Sequence, residues 1–400
     1  MSSFLVLIAV LVAVAIVAYV FRLAAQQVTS QRPYFRDMPY LVAYGYVLGL
    51  ALICYFVWLY VQPRMLETGA PNAVTIFFRW TVHLIAVLAL GAFLFRLAGR
   101  RIGTDNSKRL FRQMPLTASF GVLTIIMYCV VALVPDLFAP YGEAEIFARS
   151  YVYPLGDPVT NGDPQHMLGT DEIGRDVLSR LIFATQNTMF IALAATILAF
   201  IMGGVAGLAA AIFGGWVDAV ISRAVDVLMA IPALIFQLLL LSIASFWANS
   251  YGIPMAIFMI GIIALVDSTR VFRLARSVGL GIVAMDYIEA AKLRGEKMSY
   301  LITREILPNA MPPFLVEFGL RFCFVFLTIA SLSFLGMGIQ PPSADWGTMV
   351  RKLAEFIKFA QFLPNAALLP LFPALSIAIL VLAVNFVVDW ILDKSSGLKG

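Results

Sequence analysis

Charge is scarce in this chain. Of 400 residues only 13% are Asp, Glu, Lys or Arg, while 61% are hydrophobic. Soluble domains carry about 25% charged and roughly 45–50% apolar residues, so an ordinary water-soluble fold is excluded and most of the chain is solvated by lipid. Histidine and cysteine are scarce too. His83 and His166 lie far apart, and Cys54, Cys129 and Cys323 each sit in an apolar run. That spacing assembles neither a thiol–imidazole metal site nor a disulfide framework. No glycine is followed directly by lysine. The loop Gly-x4-Gly-Lys-Ser/Thr, which cradles nucleotide phosphates, is therefore missing, and any ATP chemistry belongs to another polypeptide. A membrane enzyme lacks support as well, since no nucleophile motif, His-rich cluster or cofactor fingerprint is present.

What is abundant is long apolar sequence. A helix needs about 20 apolar residues to cross roughly 30 Å of hydrocarbon with its backbone bonded internally. Such runs fall at 4–21, 40–61, 76–97, 117–138, 188–213, 220–243, 254–266, 314–336 and 368–392. The seventh is short and gains length only if its helix continues past Asp267 towards Ala275. The expected fold is all-α and polytopic, with about nine transmembrane helices. The polar segment 105–115 separates three from six. The first run is expected to be a retained span, because it lacks a basic start, exceeds a typical signal-peptide core and is followed by Arg22. Gly203-Gly204-Val205-Ala206-Gly207 is glycine-rich but intramembrane, and it reads as a small-residue helix contact.

The net charge of +5 follows from orientation. With 22–39, 98–115, 214–223, 267–313 and the tail after Asp393 placed inside, those segments hold about 18 of the 28 basic residues. The loop 139–186 on the opposite side is acidic, with Glu143, Glu145, Asp157, Asp163, Asp171, Glu172 and Asp176. The expected topology puts the N-terminus outside and the C-terminus in the cytoplasm. Membrane orientation accounts for the positive charge, and nucleic acid drops out as a partner.

One inside connection, 267–313, is long and charged. It opens with Arg270, Arg273 and Arg276, which put one basic face on a helix. Asp286-Tyr287-Ile288-Glu289-Ala290-Ala291-Lys292-Leu293-Arg294-Gly295 follows, then a second segment that runs to Leu307-Pro308. The pattern predicts a helix, a break at Gly295, a second helix and a stop at Pro308, with Pro312-Pro313 ahead of the next span. Pattern alone leaves two readings open: a knob that fits a partner's cleft, or a solvated return loop.

Glu289-Ala290-Ala291, then Gly295, then Leu307-Pro308 resembles the "EAA…G…LP" cytoplasmic loop of membrane subunits in binding-protein-dependent ABC importers. Glu305 stands where the general pattern has an aliphatic residue, a departure shared by the peptide-importer branch. Leu168-Gly169-Thr170-Asp171, Gly174-Arg175-Asp176, Gly214-Gly215-Trp216, Leu332-Ser333-Phe334-Leu335-Gly336, Gly338-Ile339-Gln340-Pro341-Pro342 and Trp346-Gly347 are similar to stretches of dipeptide, oligopeptide and nickel permeases. The resemblance covers about 107–400.

It implies a type I importer-like core of six helices at 106–400, with an outer loop at 139–186 and a coupling loop at 267–313. A three-helix extension of open role is left at 1–105. It implies as partners a second, related permease subunit, two cytoplasmic ATPases, an external solute-binding protein and the bilayer of the bacterial inner membrane. No cofactor is implied for this chain, since ATP and Mg²⁺ belong to the ATPases. Asp286, Tyr287, Glu289, Ala290, Ala291, Arg294, Gly295, Leu307 and Pro308 are the implied coupling residues, with Glu289 and Arg294 as charged contacts and Ala290/Ala291 as a close-packed face. The loops 139–186 and 339–364 are the implied receiving surface for the binding protein. Peptides, nickel chelates and glycosides are all cargoes of this branch.

Ionisable and amide groups inside spans are candidates for function. Glu317 and Arg321 are four apart and share a face, as a structural pair or as a gate. Gln237, Asn385 and Asp389 either line a pathway or bond neighbouring helices. Arg79 and His83 form a further set in the extension. The alternative function is a secondary transporter driven by an ion gradient, which calls for inverted repeats and mid-membrane acidic ligands; no obvious repeat is visible and deep carboxylates are few.

Overall fold

The computed structural model describes residues 73–102, 104–148, 163, 165–297, 300–340, 342–359 and 368–395. The chain divides into two compact units, Met1–Val82 and His83–Gly400. Of the first, residues 73–82, the start of one helix, are described. The runs expected at 4–21 and 40–61 lie outside the described residues, and with them the full helix count. The other seven expected runs correspond to seven helices long and apolar enough to cross a membrane. No strand occurs among the described residues; their one β-bridge joins Thr170 to Asp176.

Helix α1 (Ala73–Arg101) ends on Arg100 and Arg101, cations that suit a helix C-terminus. A short polar helix, α2 (Asp105–Gln113), is capped by the Thr104 hydroxyl, which accepts from the Ser107 N–H. The run expected at 117–138 is two pieces, α3 (Leu116–Leu133) and α4 (Pro135–Phe138), because Pro135 has no N–H to continue the ladder. Helix α5 (Val177–Phe213) begins well before the expected 188, at a cap where the Asp176 carboxylate accepts from the Ser179 N–H at 2.7 Å. The run expected at 220–243 is also two helices, α6 (Gly215–Ala230) and α7 (Ala233–Tyr251). Pro232 breaks it, and α7 is the part apolar enough to span.

Helix α8 (Met255–Val283) runs past Asp267 and Ala275 in one piece. The long inside loop is thereby shortened at both ends. After helix α9 (Asp286–Leu293), a π-helical turn at Leu301–Ile306 passes directly into α10 (Leu307–Phe334). Pro308 therefore does not stop the second helix, and Pro312-Pro313 lie inside α10. Pro308 stands where the hydrogen-bond ladder changes from π to α spacing, and the wider turn just before it gives the ring room. A short helix, α11 (Trp346–Leu353), leads into a 3-10 turn, Ala354–Phe359, and α12 (Leu371–Ser395) closes the described chain.

The bundle is organised on α5 and α8, which lie against each other through small residues. A Cβ on Gly203 would land on the Ser268 carbonyl oxygen, 2.8 Å from Val271 Cβ and 2.9 Å from Phe272 N. One on Gly207 would lie 2.6 Å from Ala275 Cβ and from Phe272 O. The glycine-rich stretch is thus the helix contact expected of it. Gly121 of α3 and Gly319 of α10 admit α12 in the same way. At the start of α11 Trp346 is buried, donates its indole N–H to Leu181 O at 3.0 Å, and meets Tyr128 and Phe326 edge-on.

Candidate coupling and translocation site

Helix α9 has only eight residues, too few to stand alone in water. Its stability comes from its ends and its seat. Asp286 and Glu289 lie in the first turn and Lys292 in the last, each with the sign that the helix dipole favours. The C-terminus closes with paired bonds: Gly295 N–H to Lys292 O at 2.9 Å and Glu296 N–H to Ala291 O at 3.3 Å. This is a Schellman arrangement, and it requires the φ of +80° that Gly295 adopts. On the inner face Ile288 is fully buried in a cluster with Leu208, Ala275, Ile306, Ala310 and Phe314. The Asn309 amide donates to Tyr287 Oη at 3.1 Å and to Glu305 O at 2.7 Å, clipping α9 to the turn before α10.

The sequence-predicted residues separate by face. Asp286, Tyr287, Glu289, Ala290, Arg294 and Gly295 are exposed. Ala291 is fully buried within the chain, so it belongs to the seat and not to an outward face shared with Ala290. Leu307 and Pro308 sit in the first turn of α10, and Leu307 lines an apolar groove of about 540 Å³ with Ile302, Met311 and Phe314. Two residues not singled out from the sequence complete the tip. Leu293 is 83% exposed, an apolar knob among charges, and Asn309 is the clip. Helical spacing alone could have found the first, since Ile288 and Ala291 share a face that Leu293 does not.

The basic stripe on α8 is neutralised by partners. Arg276 makes two bonds to Asp218, at 2.5 and 2.6 Å, and Arg273 meets Asp226 at 2.8 Å, both carboxylates on α6. Arg270 lies 3.6 Å from Asp267 in its own helix. The hydrogen bond from Arg276 holds the Asp218 carboxyl below its usual range.

Inside the span, Arg321 and Glu317 pair at 2.5 Å as their spacing predicts. The structure adds a third charge, Asp267 of α8, 4.0 Å from Arg321 and itself buried. Sequence spacing cannot join Asp267 to α10. The Arg321 guanidinium also lies 5.0 Å from the Phe324 ring centre. Gln237 is 2% exposed, with a carbonyl oxygen that has no hydrogen-bond partner. Asn385 and Asp389, on α12, are not brought into this cluster: Asn385 is half-buried and Asp389 exposed. His83 is exposed on α1.

Among the described residues, the segment before α5 and the segment around α11 pack together, and several of their acidic residues are bonded internally. Asp171 accepts from its own turn, from Ile173 N and Arg175 N, and pairs with the Arg175 guanidinium at 2.7 Å. His166 Nδ1 lies 3.0 Å from Asp176 Oδ1. Glu143 accepts from Asn187 at 3.3 Å and from the Ala344 N–H, joining 139–186 to the segment before α11. Lys352 reaches Glu172 at 2.9 Å. Of the expected receiving surface, Glu143, Asp171 and Asp176 are therefore structural, while Glu145 remains exposed.

Asp345 caps α11, accepting from Thr348 N at 3.0 Å and from the Thr348 hydroxyl, and burial pushes its carboxyl above the usual range. The folded state thus holds that proton more tightly than the unfolded chain. Its contribution is full below the ordinary carboxylate range and is lost as pH rises through the raised value. Asp345→Asn keeps the acceptor without the charge. Its expected effect on thermal stability in detergent is small, with a flatter pH dependence. Asp345→Ala leaves Thr348 uncapped and is expected to cost about 1–2 kcal/mol.

Comparison with known proteins gives a consistent set. The family described as "Binding-protein-dependent transport system inner membrane component" matches residues 203–396. The chain is 31% identical over 273 residues to a di/tripeptide transport system permease protein of Pseudomonas aeruginosa, covering 68% of this chain and 85% of that protein. It is 34% identical over 276 residues to the dipeptide transport system permease protein of Escherichia coli, covering 69% and 87%. With a glutathione transport system permease protein of Pectobacterium atrosepticum it shares 32% over 286 residues, covering 71% and 88%. Among solved structures, an amino acid ABC transporter matches with a TM-score of 0.36 at 20% identity, covering 53% of this chain and 92% of that one.

Proposed function

Because the chain belongs to the family of inner-membrane components of binding-protein-dependent transport systems, we propose that it is the translocation-pathway subunit of an ATP-driven importer whose cargo is a peptide. The names of its relatives support the cargo class. The partners in this reading are a second permease subunit related to this one, two cytoplasmic ATPases that hold ATP and Mg²⁺, and an external binding protein. The N-terminus lies outside and the C-terminus in the cytoplasm, as the distribution of Lys and Arg supports. The ion-gradient alternative is disfavoured, because the intramembrane carboxylates Glu317 and Asp267 are matched to Arg321.

The observation that carries the coupling role is the two-faced α9: a tip of Glu289, Ala290, Leu293 and Arg294 presented outward, on a seat of Ile288 and Ala291 pressed against the membrane helices. In this reading the tip fits a groove of an ATPase. Closure of the ATPase pair moves α9, and the seat passes that movement to α8 and α10. The Glu317–Arg321–Asp267 cluster ties α10 to α8 within the membrane, so that the two helices move together.

The test is Gly295→Val. A β-branched residue at φ +80° is strained by roughly 1–2 kcal/mol, which opens the closing turn of α9. Transport in proteoliposomes is expected to fall at least tenfold, with weaker co-purification of the ATPase chains and a fully assembled bundle. Gly281→Ala, where a Cβ meets open space, serves as control. Wild-type transport and ATPase stimulation in the Gly295→Val variant would remove the coupling role while leaving the permease assignment in place.

A further inference from the structure

The junction of α1 and α2 concentrates positive charge with no acidic counterpart to match. Arg96, Arg100 and Arg101 close α1, and Lys108, Arg109 and Arg112 lie on α2, with Asp105 as the one acidic residue of the stretch. Among the described residues none of these six cations has an ion-pair partner. By contrast, Arg270, Arg273 and Arg276 on α8 are each matched to an aspartate.

The two segments are folded onto each other. Phe111 of α2 meets Phe95 of α1 edge-on, with ring centres 5.2 Å apart. Gly99 makes room for the Phe111 ring, since a Cβ there would lie 2.5 Å from its Cδ1. This lays α2 against the last turns of α1, the part of α1 that carries the arginines. Arg96 and Arg100 are four apart, hence on one face, and both are half-buried. The Nε of each is sealed from solvent and has no hydrogen-bond acceptor. A buried donor on a cation left unmatched is costly, and two of them side by side call for an anionic acceptor. A guanidinium fork fits a phosphate with two parallel bonds.

The position says which phosphate. Arg96 and Arg100 lie at the end of an apolar span, Thr81–Arg101. Immediately preceding and between them, Phe93, Leu94 and Leu97 are exposed. A soluble anion would satisfy the arginines and leave that apolar strip bare. A molecule with a phosphodiester and acyl chains covers both. From this juxtaposition we infer that the α1–α2 elbow is a binding site for an anionic phospholipid of the inner leaflet, with Arg96 and Arg100 holding the phosphate and α2 supplying the surrounding field. The site is independent of the coupling role assigned to α9.

The test uses the full-length chain in detergent, stripped of lipid and offered equal phosphatidylglycerol and phosphatidylcholine, with retained lipid read by native mass spectrometry. The wild-type chain is expected to retain phosphatidylglycerol selectively. With about 1 kcal/mol for each basic residue near anionic lipid, the double variant R96Q/R100Q should lose roughly 30-fold of that preference. R96K/R100K should keep part of it, and Arg223→Gln, which removes a charge elsewhere, should keep all of it. Equal retention of the two lipids by the wild-type chain overturns the site, as does an equal loss in Arg223→Gln. Displacement of the lipid by inorganic phosphate, beyond that caused by chloride at the same ionic strength, would show a soluble-anion site and overturn the lipid assignment.

Discussion

Ile288→Asp is expected to reduce transport at least a hundredfold while leaving the membrane bundle folded. Ile288 has no exposed surface, and its neighbours Leu208, Ala275, Ile306, Ala310 and Phe314 offer a carboxylate no hydrogen bond. Placing an unmatched charge there costs several kcal/mol. The cheapest relief is local. Helix α9 is eight residues long, held by two buried side chains and the Asn309–Tyr287 bond, so it lifts off before any span unfolds. Limited proteolysis after Lys292 or Arg294 should accelerate sharply, with the main thermal transition in detergent shifted little. Ile288→Val, which removes one methylene, should cost about 1 kcal/mol and leave most of the transport. An Ile288→Asp variant that transports at the wild-type rate would show that the seat of α9 transmits nothing.

The second large effect needs a single carbon. Gly203→Ala puts a Cβ onto the Ser268 carbonyl oxygen and within 2.9 Å of Phe272 N. Both are backbone atoms of a long helix, so neither can step aside as a side-chain tip could. The helices α5 and α8 must separate along the contact that organises the bundle, at a cost of the order of 3 kcal/mol. The neighbouring change, Gly204→Ala, meets Phe314 at 3.9 Å, an ordinary contact. The pair makes a sharp comparison: the first variant should lose several degrees of thermal stability and much of its monodisperse yield, the second almost none. Equal behaviour would mean that α5 and α8 are not packed in this register.

The same contact shows how much the sequence reveals. Long apolar runs, and small residues recurring inside one of them, follow directly from lipid solvation and close helix approach, and both are legible in order along the chain. Breaks are harder to read. The apolar run across Pro232 reads as one span because hydropathy sums over the kink, although Asp218, Ser222 and Asp226 already mark α6 with a polar face. Pro308 reads as a stop because a proline normally ends a helix. The π-helical turn before it leaves no local signature. Partners far apart in the chain are invisible to spacing. Arg273 and Arg276 look like a free basic stripe until Asp226 and Asp218 arrive from another helix, and Glu143 looks like loop acidity until Ala344 is set beside it. The α9 motif is legible as a whole. Its division into inner and outer faces needs the cluster around Ile288.

That division has a consequence for inheritance. Residues 294–300 join α9 to the following helix covalently, but Ile288 rests on Ile306, Ala310 and Phe314 sideways, without going through that connection. The side of α9 facing the bundle answers to this chain's own interior, whereas Leu293 and the charges around it are free to be reshaped. A lineage can therefore alter the outward surface, or lengthen the connection, without disturbing the seat on which α9 rests.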